Sequence, residues 1–266
     1  MKLIGLDVDG TLINTKKEIT HRTKDSLIQA MKEGHKVAIV SGRPTAGVID
    51  LANDLEFEKY GGLLSNFNGG MITDYKSKKT LVSHSLDRDL ALEIIDFTKD
   101  LDIEIMIPHM DNIYTRKAGE YAVEEARYLG LNLVVEEDLA KILDFAPNKF
   151  LFAKDPDKID QVAQKIYHKF GDITEQVKSS RFYYEVMPKG LSKGKSLIEI
   201  AEHLSIAPEN IIAFGDEMND ASMIEMAGTG VAMGNAIEPI KKIADYITLS
   251  NDEDGIAYYL EKFILD

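Results

Sequence analysis

A short apolar run, Leu3-Ile4-Gly5-Leu6, leads directly into Asp7-Val8-Asp9-Gly10-Thr11. A run so brief and so apolar suits a strand covered on both faces, as in a parallel sheet. Open α/β sheets bind ligands in the crevice at the carboxyl ends of their strands, which is where Asp7 and Asp9 would emerge. Two carboxylates two positions apart repel each other unless a cation lies between them. Mg²⁺ fits that place, because it takes oxygen ligands and keeps positions free for a substrate phosphate. Asp and Gly are also ordinary turn residues, so this segment alone leaves both a turn and a site open.

Three later segments repeat the pattern. The apolar stretch 37–40 ends in Ser41-Gly42-Arg43-Pro44, Ser192-Lys193-Gly194 opens a helical pattern, and the stretch 210–214 ends in Gly215-Asp216-Glu217-Met218-Asn219-Asp220. Strand ends thus deliver Asp or Ser repeatedly, and a helix start delivers Lys, which together describe a Mg²⁺ and phosphate site along one sheet edge. In order and context, the four segments resemble the haloacid dehalogenase-like phosphatases. Within them they are most similar to the Cof subgroup with a large inserted cap, of the YidA-type sugar phosphatase kind. The likeness runs over essentially the whole chain.

The order of elements agrees with an α/β chain interrupted by an insertion. Strand and helix alternate at first: a helix over 23–32 with Leu27, Ile28 and Met31 on one face, the strand to Val40, a helix near 48–55, a strand to Asn66 ending in Asn68-Gly69-Gly70, and a polar hairpin over 74–79. Such βαβ series imply a parallel sheet with right-handed crossovers. From about Ser83 to Met187 the pattern changes to helices mixed with strands of antiparallel character, among them 103–107, 113–115, 149–153 and 181–186. After Gly190 the βα pattern resumes and closes with a helix over 254–263. We therefore expect a Rossmann-like α/β core formed by residues 1–82 and 189–266, and an inserted α+β cap over 83–188. Pro188 and Gly190 punctuate the second junction.

Bulk properties narrow the function. With 266 residues, 44% apolar and 29% charged, the composition is that of a globular protein long enough for a core plus an insertion. There is no cysteine, hence no disulfide, thiolate site or cysteine nucleophile. The N-terminus lacks a secretory pattern and no apolar run approaches ~18 residues, so a cytoplasmic protein without a membrane span is expected. The net charge of -14 argues against nucleic acid, whose binding needs a basic face. It also means that a phosphorylated substrate must be met by a local cation: Mg²⁺, Lys193 or Arg43.

The chemistry assigns roles. Asp7 suits a nucleophile, since a carboxylate attacking phosphorus splits one hard hydrolysis into two easier steps through an aspartyl-phosphate, and the resemblance implies the same. Asp9 suits a general acid and then base; by resemblance its backbone carbonyl, not its side chain, contacts Mg²⁺, and Asp at this position favours a phosphatase over a dehalogenase. Thr11 is expected either to hold Asp9 by a hydrogen bond or to serve as a helix-side or turn hydroxyl. Ser41 and Lys193 suit the phosphoryl oxygens, because phosphoryl transfer rests on positioning and charge stabilisation. Among Lys189, Lys193 and Lys195, the resemblance selects Lys193, just before Gly194. Asp216 completes the metal shell and Asp220 supports it through water or hydrogen bonds, giving a metal set of Asp7, Asp9, Asp216 and Asp220. Gly42, Arg43 and Asn68 at neighbouring strand ends, with Thr11, Asn219 and the phosphate-holding pair, make up the expected substrate side. Glu217 reads as a solvated acid.

The insertion is thinner ground. His109, Asn112, Tyr114, Arg116, Lys117 and Glu185 are polar candidates for substrate choice, each more simply read as solvated surface. The expected partner is a small phosphate ester, with sugar phosphates as the class the resemblance suggests and Mn²⁺ an acceptable substitute for Mg²⁺. A sugar phosphomutase on the same core is the alternative enzyme. A non-catalytic phosphometabolite binder is the alternative outside enzymes, disfavoured because Asp7, Asp9, Lys193 and Asp216 are all present.

Overall fold

The computed structural model describes residues 1–265 and divides into two compact units, Met1–Arg43 with Val48–Val82 and Ser192–Asp266, and Pro44–Gly47 with Ser83–Leu191. The first unit carries β1 (Leu3–Leu6), α1 (His21–Lys32), β2 (Lys36–Val40), α2 (Ile49–Asp54), α3 (Phe57–Tyr60), β3 (Leu63–Asn66), β4 (Met71–Asp74) and β5 (Lys79–Ser83). The second carries α4 (Arg88–Phe97), β6 (Glu104–His109), β7 (Asn112–Thr115), α5 (Glu120–Leu129), β8 (Asn132–Val135), β9 (Phe150–Ala153), α6 (Pro156–Phe170), β10 (Thr174–Lys178) and β11 (Tyr183–Pro188). The chain then completes the first unit with α7 (Lys193–His203), β12 (Ile211–Gly215), α8 (Ala221–Met226), β13 (Thr229–Ala232), α9 (Glu238–Ile243), β14 (Tyr246–Ile247) and α10 (Gly255–Phe263).

The first unit is an eight-stranded sheet in the order β14-β13-β12-β1-β2-β3-β4-β5. From β14 through β3 neighbouring strands are parallel, and β4 returns antiparallel on β3. The unbroken apolar character of β1 follows from cover on both faces. Ile4 and Leu6 pack into a cluster with Leu27 and Met31 of α1, Phe214 and Leu260 of α10. Leu3 turns to the other side, with Leu197 and Ile200 of α7 and Met223 of α8. α1 starts where the Thr20 hydroxyl accepts from the Thr23 amide, and it buries Leu27, Ile28 and Met31 as its 3.6-residue period requires. The helix expected near 48–55 is broken: a 3₁₀ turn, Thr45–Val48, precedes α2, and Glu56 in the left-handed region separates α2 from α3.

Register places the strand ends side by side. Leu6 lies opposite Phe214 on β12 and Ile39 on β2, and the Asp7 amide still donates to the Phe214 carbonyl at 3.1 Å. Two residues beyond Ile39 and Phe214, β2 has given way to Ser41 and β12 to Asp216.

The second unit is a six-stranded sheet, β10-β11-β9-β6-β7-β8. α4 and α6 cover one face through Ile94, Ile95, Ile159 and Ile166 against Phe150 and Phe152; α5 covers the other through Ala122 and Ala126 against Met106, Ile113 and Leu151. The pairings are antiparallel as expected except β7 with β8, which is parallel because α5 crosses between them. β8 and β10 escape a sequence reading. Both are edge strands with one neighbour, so neither needs the strong apolar alternation of a central strand. Among the described residues, no helix is long and apolar enough to cross a membrane.

Candidate active site

Every candidate site residue outside the insertion belongs to the first unit, and β1, β2, β3, β12 and the start of α7 present them. At the centre is Lys193, 1% exposed, at the first position of α7 after the N-cap Ser192. Its ammonium donates to Asp7 Oδ1 and to Asp220 Oδ1, both at 2.6 Å. Removing an ammonium from water costs several kcal/mol, and two carboxylates at this distance are what offsets it. Lys195, two residues on, is exposed, so of the neighbouring lysines the fold draws Lys193 inward.

Asp220 is fully buried and its second oxygen is also engaged. Asp220 Oδ2 accepts from the amides of Asp216 at 2.9 Å and Glu217 at 3.1 Å. The Glu217 carboxylate accepts in return from the Asp220 amide, so Glu217, read from sequence as merely solvated, caps the short Met218–Asp220 turn. Two glycines make this closeness possible. A Cβ on Gly215 would lie 2.5 Å from the Asp220 Cβ. One on Gly10, at φ +79°, would lie 2.1 Å from Asp216 Oδ2.

Asp7, Asp216 and Asp220 each offer an oxygen within 4.8 Å of the others, all three buried. Burial, then Asp220, pushes the Asp7 carboxyl up to about 8 against the pull of Lys193. Burial and Asp220 likewise push Asp216 up to about 7. Burial alone would lower Lys193, but Asp220 and Asp7 outweigh it and hold the ammonium charged. One cation therefore serves three acids. A hard divalent ion fits this donor set, because it takes carboxylate oxygen and relieves the mutual repulsion that raises Asp7 and Asp216. Asp7 and Asp216 are the acids best placed to hold it, since both Asp220 oxygens already accept hydrogen bonds.

Thr11 corrects one expectation. Its hydroxyl donates to Asp216 Oδ1 at 3.0 Å rather than to Asp9. Asp9 is instead gripped by cations: Arg43 Nη2 reaches Oδ1 at 2.8 Å, Arg43 Nε reaches Oδ2 at 3.0 Å, and Lys17 Nζ reaches Oδ1 at 3.0 Å. Burial tends to raise Asp9, but Arg43 and Lys17 prevail and hold it below the usual carboxylate range. Arg43 thus has a defined partner in Asp9. Lys17 carries no motif that would have singled it out.

The β3 end braces the β2 end. The Asn66 Nδ2 and the Phe67 amide both donate to the Arg43 carbonyl at 3.1 Å, and the Asn68 amide donates to the Ser41 carbonyl at 3.0 Å. Phe67 and Asn68 both adopt positive φ, at 55° and 54°, to make these contacts. Ser41 Oγ accepts from the Arg43 amide at 3.2 Å, and a Cβ on Gly42 would lie 3.1 Å from Asn68 Oδ1. Asn219 is exposed on the Met218–Asp220 turn.

Within the insertion the solvated reading fails for Glu185, which is buried and bonds Lys149 Nζ at 3.1 Å. Arg116 is half-buried and donates to carbonyls at the end of α4, those of Thr98 (3.0 Å) and Ile95. His109 stacks on Phe145 with ring centroids 3.8 Å apart, the Asn112 amide approaches the Tyr114 hydroxyl at 3.5 Å, and Lys117 is exposed.

An α/β core with four acids and a buried lysine on one sheet edge defines a class, and comparison with known proteins identifies it. Residues 4–260 match the haloacid dehalogenase-like hydrolase family. The chain therefore belongs to the haloacid dehalogenase-like hydrolases and is an enzyme of that family. It is 32% identical over 265 residues to YcsE of Bacillus subtilis, a 5-amino-6-(5-phospho-D-ribitylamino)uracil phosphatase, covering 100% of this chain and 96% of that one. A crystal structure of a haloacid dehalogenase-like hydrolase from Bacteroides thetaiotaomicron superposes with a TM-score of 0.93 at 35% identity, covering 99% of both chains. The subclass IIB sugar phosphatase BT4131 superposes with a TM-score of 0.83 at 25% identity, covering 99% of each.

Proposed function

We propose that this enzyme is a Mg²⁺-dependent phosphatase that hydrolyses small phosphate monoesters, sugar phosphates among them, through an aspartyl-phosphate. The observation that carries the reading is Lys193, buried and shared by Asp7 and Asp220 with Asp216 beside them. A buried ammonium next to a carboxylate nucleophile is poised for the charge of a transferring phosphoryl group. The phosphatase names of YcsE and BT4131 support the reaction class.

Asp7 attacks phosphorus: a carboxylate oxygen–phosphorus bond forms, the ester oxygen–phosphorus bond breaks, and Asp9 gives its proton to the leaving oxygen. Asp9 then takes a proton from water as that water attacks the aspartyl-phosphate, releasing phosphate and restoring Asp7. The grip of Arg43 and Lys17 holds Asp9 ionised, the form the second step needs; an arriving phosphate adds negative charge nearby and favours the acid form that the first step needs. Lys193 and Ser41 hold phosphoryl oxygens, Ser41 being fixed by the β3-end brace. Asp7 and Asp216, with the Asp9 carbonyl, would hold Mg²⁺, and Asp220 would orient Lys193 and Asp216. When bound, the ion supplies Lewis-acid stabilisation of charge on the phosphoryl oxygens.

The test is phosphate release from a panel of small phosphate esters, with and without Mg²⁺, for the wild type and Asp7→Asn. Metal-dependent release that the variant loses by at least ~10³-fold is expected for a missing nucleophile. Release that survives in Asp7→Asn, or in full chelation, would overturn the mechanism.

A further inference from the structure

Asp9 poses a problem that the site solves with a residue outside any motif. It lies two positions from Asp7, and a hard divalent ion among Asp7, Asp216 and Asp220 would attract any further carboxylate within reach. An Asp9 side chain captured as a ligand would be lost as the group that moves protons. Yet the buried cluster that shares an oxygen neighbourhood comprises Asp7, Asp216 and Asp220 without Asp9. Its carboxylate is taken up by Arg43 through both oxygens and by Lys17 through Oδ1.

The Lys17 contact is built rather than incidental. Lys17 sits at φ +65°, a conformation strained for a side-chain-bearing residue. The turn around it is tightly tied. Asn14 Oδ1 accepts from the amides of Lys16 (2.9 Å) and Glu18 (3.1 Å), the Asn14 amide donates to the Glu18 carbonyl at 3.0 Å, and the Lys17 amide donates to the Asn14 carbonyl at 2.9 Å. Thr15 is anchored through its amide (2.9 Å) and its hydroxyl (3.0 Å) to Asp252 Oδ1. Lys17 and Asp9 side chains are 58% and 47% exposed, so the pair is worth no more than an exposed ion pair; the tied turn fixes the backbone position from which Lys17 reaches Asp9.

We propose that Lys17 is a positioning residue that, together with Arg43, keeps the Asp9 carboxylate out of the metal's ligand set and reserves it for proton transfer. The inference rests on the phosphatase reading above. The test uses the full chain, Lys17→Gly, which keeps the left-handed turn and removes the ammonium, and Lys17→Arg, which keeps the charge. Mn²⁺ serves as the metal probe, titrated by electron paramagnetic resonance without substrate, alongside steady-state hydrolysis of the best ester in the panel. Lys17→Gly is expected to bind Mn²⁺ about two- to five-fold more tightly and to lose a similar factor in kcat with KM held, the scale of one exposed ion pair, and Lys17→Arg to restore both. Unchanged Mn²⁺ affinity in Lys17→Gly overturns the inference even if kcat falls, because Lys17 would then only support its loop. If the wild type hydrolyses no ester while Lys17→Gly tightens Mn²⁺ binding, the exclusion of Asp9 from the metal stands, and the phosphatase reading fails together with the proton-transfer role that rests on it.

Discussion

Both units of this protein bury a lysine against carboxylates, and the two arrangements differ in charge balance. In the inserted unit, Lys149 and Glu185, 5% and 6% exposed, meet at 3.1 Å as one cation and one anion. In the α/β core, Lys193 bonds Asp7 and Asp220 while Asp216 lies in the same cluster, leaving one cation to three acids. A balanced buried pair can serve structure alone. A surplus of buried acid is an unfavourable arrangement that a divalent ion would relieve, and it is the reason we place the proposed chemistry at the core cluster.

The largest expected effect separates two core lysines. Lys193→Ala should reduce kcat/KM by ~10²–10³-fold, the scale of losing one preorganised donor to transition-state charge, while exposed Lys195→Ala stays near wild type. Steady-state kinetics on variants with matching circular dichroism decides it, and equal effects would break the contrast between aimed and solvated lysine.

Next comes the insertion's pair. Glu185→Leu alone takes from the buried Lys149 ammonium the carboxylate 3.1 Å away and should cost ~3–5 kcal/mol of stability, whereas Lys149→Met with Glu185→Leu together should recover most of that loss. Chemical denaturation of the two variants checks it; a double variant no more stable than the single would mean that Lys149 and Glu185 are not each other's main partner.

The smallest effect sharpens the charge argument through pH. Asp7, pushed up to about 8, and Asp216, pushed up to about 7, both bind protons more readily folded than unfolded. Their contribution to stability is full below the ordinary carboxylate value near 3.8 and is lost as pH rises through about 7 to 8. The rise in Tm on adding Mg²⁺ should therefore grow between pH 6 and 8, by ~2–4 °C per kcal/mol for a chain of this size. Thermal scans with and without Mg²⁺ measure it, and a Mg²⁺ increment that shrinks with rising pH would contradict the assignment.

How much of this was legible in the residues depends on where the signal lies. The core strands were legible because burial on both faces demands unbroken apolar runs, and the strand-end acids because their motifs are local. The edge strands β8 and β10 were not, since one neighbour imposes little pattern. Thr11 was paired with the wrong acid: from sequence its hydroxyl sits near Asp9, but the turn at Gly10 sends it to Asp216 across the sheet edge. Glu185 looked like any exposed strand acid until its burial against Lys149 appeared, and Lys17 carried no signal, since nothing local announces a partner eight residues away across a strained turn.

The amino-acid order by itself determined the class of fold, the family and which acids and lysine stand at strand ends and a helix start, because periodicity and short motifs are properties of neighbouring residues. Only the tertiary structure decided which acid each donor serves: Lys193 between Asp7 and Asp220, the Thr11 hydroxyl on Asp216, Arg43 and Lys17 on Asp9. Those pairings join residues from separate strands and turns, and Coulomb energy depends on distances that exist only once the sheet has brought its strand ends together.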